Sequence, residues 1–304
     1  MQFVDIKNDI AFRKIFGNEK KKVILISFLN AIMQLEGDQR IADIALANPY
    51  QMPILPNFKA SIVDVKAVDR AGQTYIVEMQ VADVSGLDKR LLYYTSKEYS
   101  QQIAVGEQYT ELNPVIFIGI FEFHFTQGEY LSHHAICNVK TGERIIRDMD
   151  FYFIELPKFK KELSELDNVA DKWIHFIKEA ENLAIMPDNL NDEGLQEAYQ
   201  FANKNTWTKA ELDAYDYAGM REQDMRGRLE KGMQKALQQG KEQGKQEGLE
   251  QGIEQGIEQG IEQGIEQGKR LRAIEIAQEM QAEGIPLATI AKLTGLTKEE
   301  IEKN

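Results

Sequence analysis

Residues 61–80 read SIVDVKAVDRAGQTYIVEMQ, two apolar stretches separated by Asp69 to Gln73. Ile62, Val63, Val65 and Val68 precede the break and Tyr75, Ile76, Val77 and Val81 follow it. The pattern predicts two central strands joined antiparallel by a tight turn, with Gly72 free to take a positive φ. Upstream, Ile10, Phe12, Ile15 and Phe16 predict a helix over 7–17 that starts near Asn8 or Asp9, and the broad apolar face from Val23 to Ile32 predicts a second over 20–33. Pro49, Pro53 and Pro56 mark an extended connection into a strand at 58–68. Gly86 then breaks the chain before a helix from Leu87 to about Val105, and Asn113-Pro114 introduces VIFIGIFEF, whose unbroken apolar run predicts a strand buried on both faces. From His133 to Leu156 the pattern is again strand-like, with Thr141-Gly142 as a hairpin turn between AICNV and RII. Residues 159–205 are helical in period, with Leu163, Leu166, Val169, Trp173, Phe176 and Ile177 as a stripe that packs on the sheet. This order of elements predicts an α/β fold.

Beyond residue 206 the pattern changes. From Gly240 to Gly268 a glycine falls at every fourth position, interleaved with Ile253, Ile257, Ile261 and Ile265. Helix is the expected conformation, although each interior glycine costs about 1 kcal/mol relative to alanine. Four residues turn an ideal helix by about 400°, so a fixed Gly/Ile seam requires a right-handed supercoil. Two readings stay open, a low-complexity spacer and a self-association element that makes the protein a homo-oligomer. The final segments, RAIEIAQEMQAEG, IPLATIAKLTG and LTKEEIEKN, resemble a helix-turn-helix. Glu299, Glu300 and Glu302 on the last helix would repel phosphate, which favours a small helical cap over a base-reading module. The boundaries read from the pattern are a core over 1–158, a helical segment packing on it over 159–206, a long helical region over 207–271 and the cap over 272–304.

At 304 residues the chain accommodates one sizeable domain and an appendage. The single cysteine, Cys137, excludes an internal disulfide and a cysteine-based zinc cluster, and fits a reducing, cytoplasmic setting. Charged residues interrupt the N-terminal apolar positions, which argues against a signal peptide, and VILISFL and VIFIGIF are far shorter than the roughly 20 residues that span a bilayer. The expected partner set therefore includes no membrane. A net charge of −13 opposes sequence-independent binding to nucleic acid, but Arg13, Lys14, Lys20, Lys21 and Lys22 form a local basic cluster that either flanks a groove or is a solvated helix end. No Walker A loop, GxGxxG or GxSxG occurs. His124, His133 and His134 flank a predicted hairpin without the spacing of a zinc site.

The candidate chemistry lies on the two central strands. Asp64 and Lys66 are two apart on the first, Glu78 and Gln80 two apart on the second, so each pair shares a face and the antiparallel turn brings the pairs together. Two carboxylates on an otherwise buried sheet need a partner, and a hard divalent cation with oxygen ligands is a common one.

An Asp followed after about a dozen residues by Glu-x-Gln resembles the PD-(D/E)XK nuclease core, in the form typical of the recombination-promoting nuclease and putative transposase family. KNDIAFRKIFG at 7–17, RLLYYTSKEYSQQIAVGEQYTELNPVIFI at 90–118 and the glycine-rich array carry the same resemblance. It implies a mixed central sheet flanked by helices and a magnesium-dependent endonuclease that cuts DNA in recombination. It implies Asp64, Glu78 and the Met79 carbonyl as Mg2+ ligands, with Asp9 reaching the metal directly or through water; helix capping explains Asp9 equally well. Where the wider superfamily has a catalytic lysine this chain has Gln80, for which Lys66 either compensates or is an edge lysine with a solvated tip. Arg90 and Tyr94, at i and i+4 on the following helix, are implied as substrate or supporting groups, with structural pairing as the alternative. A second function class stays open, a nuclease-fold interaction module whose array mediates assembly and whose site has decayed.

Overall fold

The turn between the two central strands is held by the Asp69 carboxylate, whose Oδ1 accepts from the Ala71 and Gln73 amides at 2.9 and 3.0 Å, and Gly72 takes φ +89. This computed structural model describes residues 2–51, 61–188 and 190–303. Pro53, Pro56 and the predicted start of a strand at 58–60 lie outside the described residues. The described residues divide into two units, one ending at Arg226 and one beginning at Gly227.

In the first unit, helices α1 (Asp9–Phe16) and α2 (Lys22–Ile32) are followed by strands β1 (Ile44–Leu46), β2 (Tyr50–Gln51), β3 (Ser61–Ile62), β4 (Val65–Asp69) and β5 (Thr74–Gln80). Helix α3 (Leu87–Ser100), strands β6 (Val115–Phe121), β7 (Leu131–Ala135) and β8 (Met149–Glu155), then helices α4 (Val169–Glu179) and α5 (Glu193–Ala202) complete it, with the start of α6 (Lys209–Ala282). Six strands form one mixed sheet in the order β1-β4-β5-β6-β8-β7. β5, β6 and β8 run parallel, while β1, β4 and β7 are antiparallel to their neighbours.

Alternation along the strands sends Tyr75, Val77, Met79, Ile116, Ile118 and Ile120 to one face, where α1, α2, α4 and α5 bury the main core. Ile76, Val115, Phe117, Phe121 and Phe153 face the other way, against Leu87 and Leu91 of α3. A hydrogen-bonded chain ties three helices of the main face: Trp173 Nε1 donates to Ser27 Oγ at 3.0 Å, and Ser27 donates to Asp192, the residue that caps α5, at 2.5 Å. At the C-terminal end of β8 the fully buried Glu155 accepts from the amides of Phe125 and Thr126 at 2.6 and 3.1 Å and from Lys158 at 2.7 Å. Burial opposes its ionisation, but these donors outweigh it and hold its pKa below the ordinary value.

Several predicted elements differ in extent. The first central strand is interrupted: β3 pairs with β2, the chain bends at Asp64, and β4 begins at Val65. α3 ends at Ser100, short of Val105, because the Gln102 side chain bridges the Asn113 amide and carbonyl at 2.8 and 2.9 Å and turns the chain back. AICNV and RII do not form a hairpin of strands. Val139 and Ile145 are exposed with no sheet to bury against, and Asn138 Oδ1 accepts from Lys140 and Thr141 to form a turn inside the β7–β8 connection. The stripe over 159–205 is α-helical only from Val169, where Asn168 caps α4 through the Asp171 amide at 2.8 Å, so Leu163, in a separate 3-10 turn over Leu163–Glu165, lies outside that helix.

In the second unit, the end of α6, α7 (Leu287–Thr294) and α8 (Lys298–Lys303) close around Ala277, Ile290, Leu296 and Ile301. Arg270 pairs with Glu300. The repeat is continuous helix within α6. Ile253, Ile257, Ile261 and Ile265 are all more than half exposed, and a Cβ built on any glycine from Gly240 to Gly268 meets nothing within 4 Å. Among the described residues no helix is long and apolar enough to cross a membrane.

Gly194 is the tightest helix crossing of the main core, since a Cβ there would stand 2.4 Å from Ser27 Cβ and 2.5 Å from the Val23 carbonyl oxygen. Backbone cannot rotate away as a side chain can. Gly194→Ala is therefore expected to lower stability by about 1–3 kcal/mol, read as a shift in the urea midpoint followed by tryptophan fluorescence.

Candidate active site

Register explains how the carboxylates meet. Val65 lies opposite Val77 in the antiparallel β4–β5 pair, so the preceding residue, Asp64, comes abreast of Glu78. The bend at Asp64 frees its side chain to turn across the sheet, and Oδ2 accepts from the Met79 backbone N–H at 2.9 Å. Met79 thus reaches the site through its backbone, while its side chain packs in the main core.

Glu78 sits on the α3 face, 4% exposed. Its Oε2 accepts from Gln80 Nε2 at 2.8 Å, and Gln80 Oε1 in turn accepts from Arg90 Nη2. That relay fixes which way the Gln80 amide points and delivers part of the Arg90 charge to Glu78. Glu78 Oε1 is buried with no hydrogen-bond partner among the described residues. Gly119 is its register neighbour on β6, where a side chain would collide with the Phe121 ring at 2.5 Å, so one flank of Glu78 is walled by phenylalanine rings. Burial, and then repulsion from Asp64, push the Glu78 carboxyl up to about 8 against the opposing pull of Arg90 and Gln80.

The third side comes from α1. Asn8 caps this helix, its Oδ1 accepting from the Ile10 and Ala11 amides, so capping does not fall to Asp9. Partial withdrawal from water and then the Asp64 charge raise the Asp9 pKa, while Arg13 and Arg221 lower it. Arg13, one turn further on, donates from Nε and Nη2 to Asp64 Oδ1 at 3.2 and 2.8 Å. Sequence reasoning placed Arg13 only in a basic cluster. The signal that singles it out is its i+4 spacing from Asp9. The rest of that cluster is largely spent on structural pairs, Lys14 with Glu211, Lys21 with Glu197 and Lys22 with Glu19.

Lys66 is neither a solvated edge residue nor drawn to the carboxylate pair. Its ammonium lies 2.6 Å from Glu98 on α3, which offers a nearer and largely buried partner. The cation that reaches Gln80 is Arg90. Tyr94, a turn beyond Arg90, lies close enough for Glu78 and Asp64 to add to the effect of burial in raising its pKa, so it stays protonated. The histidines do not converge: His133 pairs with Asp150 at 2.6 Å and stacks on Tyr152, and His134 contacts Ser132.

The pair meets the demands of a hard divalent cation. Its donors are carboxylate oxygens, one of them buried and unpartnered, and like charges side by side in an apolar wall are relieved by positive charge. Among the described residues no group of three or more His, Cys, Asp or Glu gathers around one point, so the fit rests on the Asp64–Glu78 pair with backbone, and Asp9 is linked to it through the effect of the Asp64 charge.

Comparison with known families gives two matches. Residues 6–232 match the family model described as PD-(D/E)XK nuclease family transposase. Residues 270–304 match that described as the C-terminal HTH domain of the Rpn/YhgA-like nuclease family. No curated protein and no solved structure matches the chain.

The raised Glu78 pKa has a definite sign. The folded chain favours the protonated form, so its contribution to stability is full below about 4.5 and is lost as pH rises through about 8. In chelator, Glu78→Gln should match the parent at pH 4 and exceed it at pH 9 by up to a few kcal/mol, on the order of 1.4 kcal/mol for each tenfold difference in proton affinity between folded and unfolded chain, measured by urea unfolding.

Proposed function

The chain belongs to the PD-(D/E)XK nuclease transposase family, and on that basis we propose that it is a magnesium-dependent endonuclease that hydrolyses DNA phosphodiesters in recombination. The observation that carries this reading is the Asp64–Glu78 pair with its unpartnered buried oxygen. Asp64 and Glu78 would hold the cation, with the Met79 carbonyl beside them and Asp9 contributing through water. Bound there, Mg2+ supplies positive charge for the phosphoryl oxygens and a water of lowered pKa.

The remaining work falls to the chain's own groups. Glu78 gives up its proton when it takes up the cation, which links affinity to pH. Gln80 cannot carry the charge of the superfamily lysine, but its amide, oriented by Arg90, holds Glu78 Oε2 and leaves Oε1 without a partner among the described residues. Arg90 therefore takes the charge role in place of Lys66, which tethers β4 to α3 through Glu98. Tyr94, kept protonated, is a hydrogen-bond donor at the mouth. The C-terminal HTH domain is read as a DNA-contacting module, and the cytoplasm as the setting.

The alternative, an assembly module, is favoured by the exposed isoleucines of α6, and the two roles are compatible. An unpaired apolar seam beside glycines that allow close helix approach suits a second copy of the same helix.

Incubation with supercoiled plasmid and Mg2+ tests the enzyme reading. Asp64→Asn and Glu78→Gln should fall to background while keeping the parental circular dichroism, Arg90→Gln should lose about 10–100-fold, and Lys66→Gln should lose stability more than rate. Parental nicking by Asp64→Asn would refute the site. Light scattering tests assembly: replacing Ile253, Ile257, Ile261 and Ile265 with serine should convert an oligomer to a monomer at micromolar concentration.

A further inference from the structure

Asp64 offers two oxygens with unequal freedom. Oδ2 accepts from a backbone donor, the Met79 N–H, whose strand is held by its pairing with β6. Oδ1 is held by Arg13. Of the two, Oδ1, held by a side chain and not by a backbone donor, is the oxygen that a cation shared with Glu78 can take by exchange.

The two partners differ in what can move. The Asp64 side chain is 9% exposed and pinned, whereas the Arg13 side chain is 46% exposed. Helix α1 itself is anchored by buried Ala11, Phe12, Ile15 and Phe16, so displacement needs only the side-chain torsions of Arg13. Because the guanidinium keeps much of its contact with water, releasing this pair is easier than breaking one buried on both sides. The charges of Asp9 and Glu78 add to that of Asp64 in raising the Arg13 pKa against the effect of burial. A phosphodiester approaching those carboxylates is repelled until their charge is balanced. A freed arginine at their edge presents a planar fork of donors suited to phosphate oxygens.

We infer that Arg13 is a substrate-binding residue held in reserve: it competes with a divalent cation for Asp64 Oδ1 and, once displaced, binds a phosphate of the nucleic acid. The inference rests on the carboxylate pair being a cation site, as proposed above. It sets an order in which the cation is taken up before the phosphate, and it gives Arg13 opposite effects on the two ligands. A merely structural arginine would weaken both when removed.

The test uses the full-length protein with Mn2+ as the probe, titrated calorimetrically, and a fluorescent DNA duplex bound in Ca2+ across a salt series. Arg13→Gln should bind Mn2+ about tenfold more tightly, the effect of removing one adjacent charge. The same variant should bind the duplex more weakly, with the salt slope smaller by about one, and Arg13→Lys should restore that slope. Equal or weaker Mn2+ binding by a folded Arg13→Gln overturns the inference, as does an unchanged salt slope. Absence of Mn2+ binding in the parent overturns the cation-site reading and this inference together, whereas Mn2+ binding that the parent and Arg13→Gln share equally overturns the inference alone.

Discussion

Two like charges held abreast on paired strands are unfavourable, and much of the surrounding architecture answers that cost. Asp64 and Glu78 meet because the β4–β5 register leaves them no alternative. Around them stand a backbone N–H on one carboxylate, a glutamine–arginine relay on the other and an arginine from α1. Each donor satisfies one oxygen, and among the described residues Glu78 Oε1 is the carboxylate oxygen of the pair left buried without a partner, with Arg90 Nε in the same condition. Proteins tolerate such an imbalance where it has a use, and a site that gains a cation is one such use.

Much of this was legible in the sequence because it depends on local rules. The turn at Asp69–Gly72 and the alternation on both sides specify the hairpin, and the hairpin specifies that Asp64, Glu78 and Gln80 converge. The α/β fold follows from the order of elements and the family from this stretch together with the segments at 7–17 and 90–118 and the glycine array, and the family match over residues 6–232 bears them out. What was not legible depends on contacts distant in sequence. Arg13 reaches Asp64 across 51 positions, and within the run of basic residues its i+4 spacing from Asp9 is the one signal that sets it apart. Lys66 has the right spacing from Asp64, yet Glu98 claims it from a helix whose tilt no pattern encodes. AICNV and RII have strand composition but no strand to pair with, since β7 and β8 already pair with each other before that loop begins. Strand propensity measures fit to a half-buried surface, and where the surface is missing the propensity is idle.

The glycine array shows a different limit. A period of four fits a helix poorly enough that pattern alone does not choose between a spacer and a seam. Within α6 the glycines of the array meet no atom within 4 Å of an added Cβ, and the four isoleucines are more than half exposed.

The Glu155 clamp bears on how the site moves. By binding the amides of Phe125 and Thr126 and the Lys158 ammonium, it fastens the segment leaving β6 to the end of β8. The C-terminal ends of adjacent parallel strands are thereby joined on the side where Gln80 and Phe121 lie. Opening this wall would expose a carboxylate and several donors at once, so its fluctuations belong to the rare, near-global class, while an exposed arginine side chain samples rotamers within nanoseconds. The chain thus separates its motions by timescale, with a slow frame that keeps the carboxylates in place and a fast arm that can exchange partners without disturbing it.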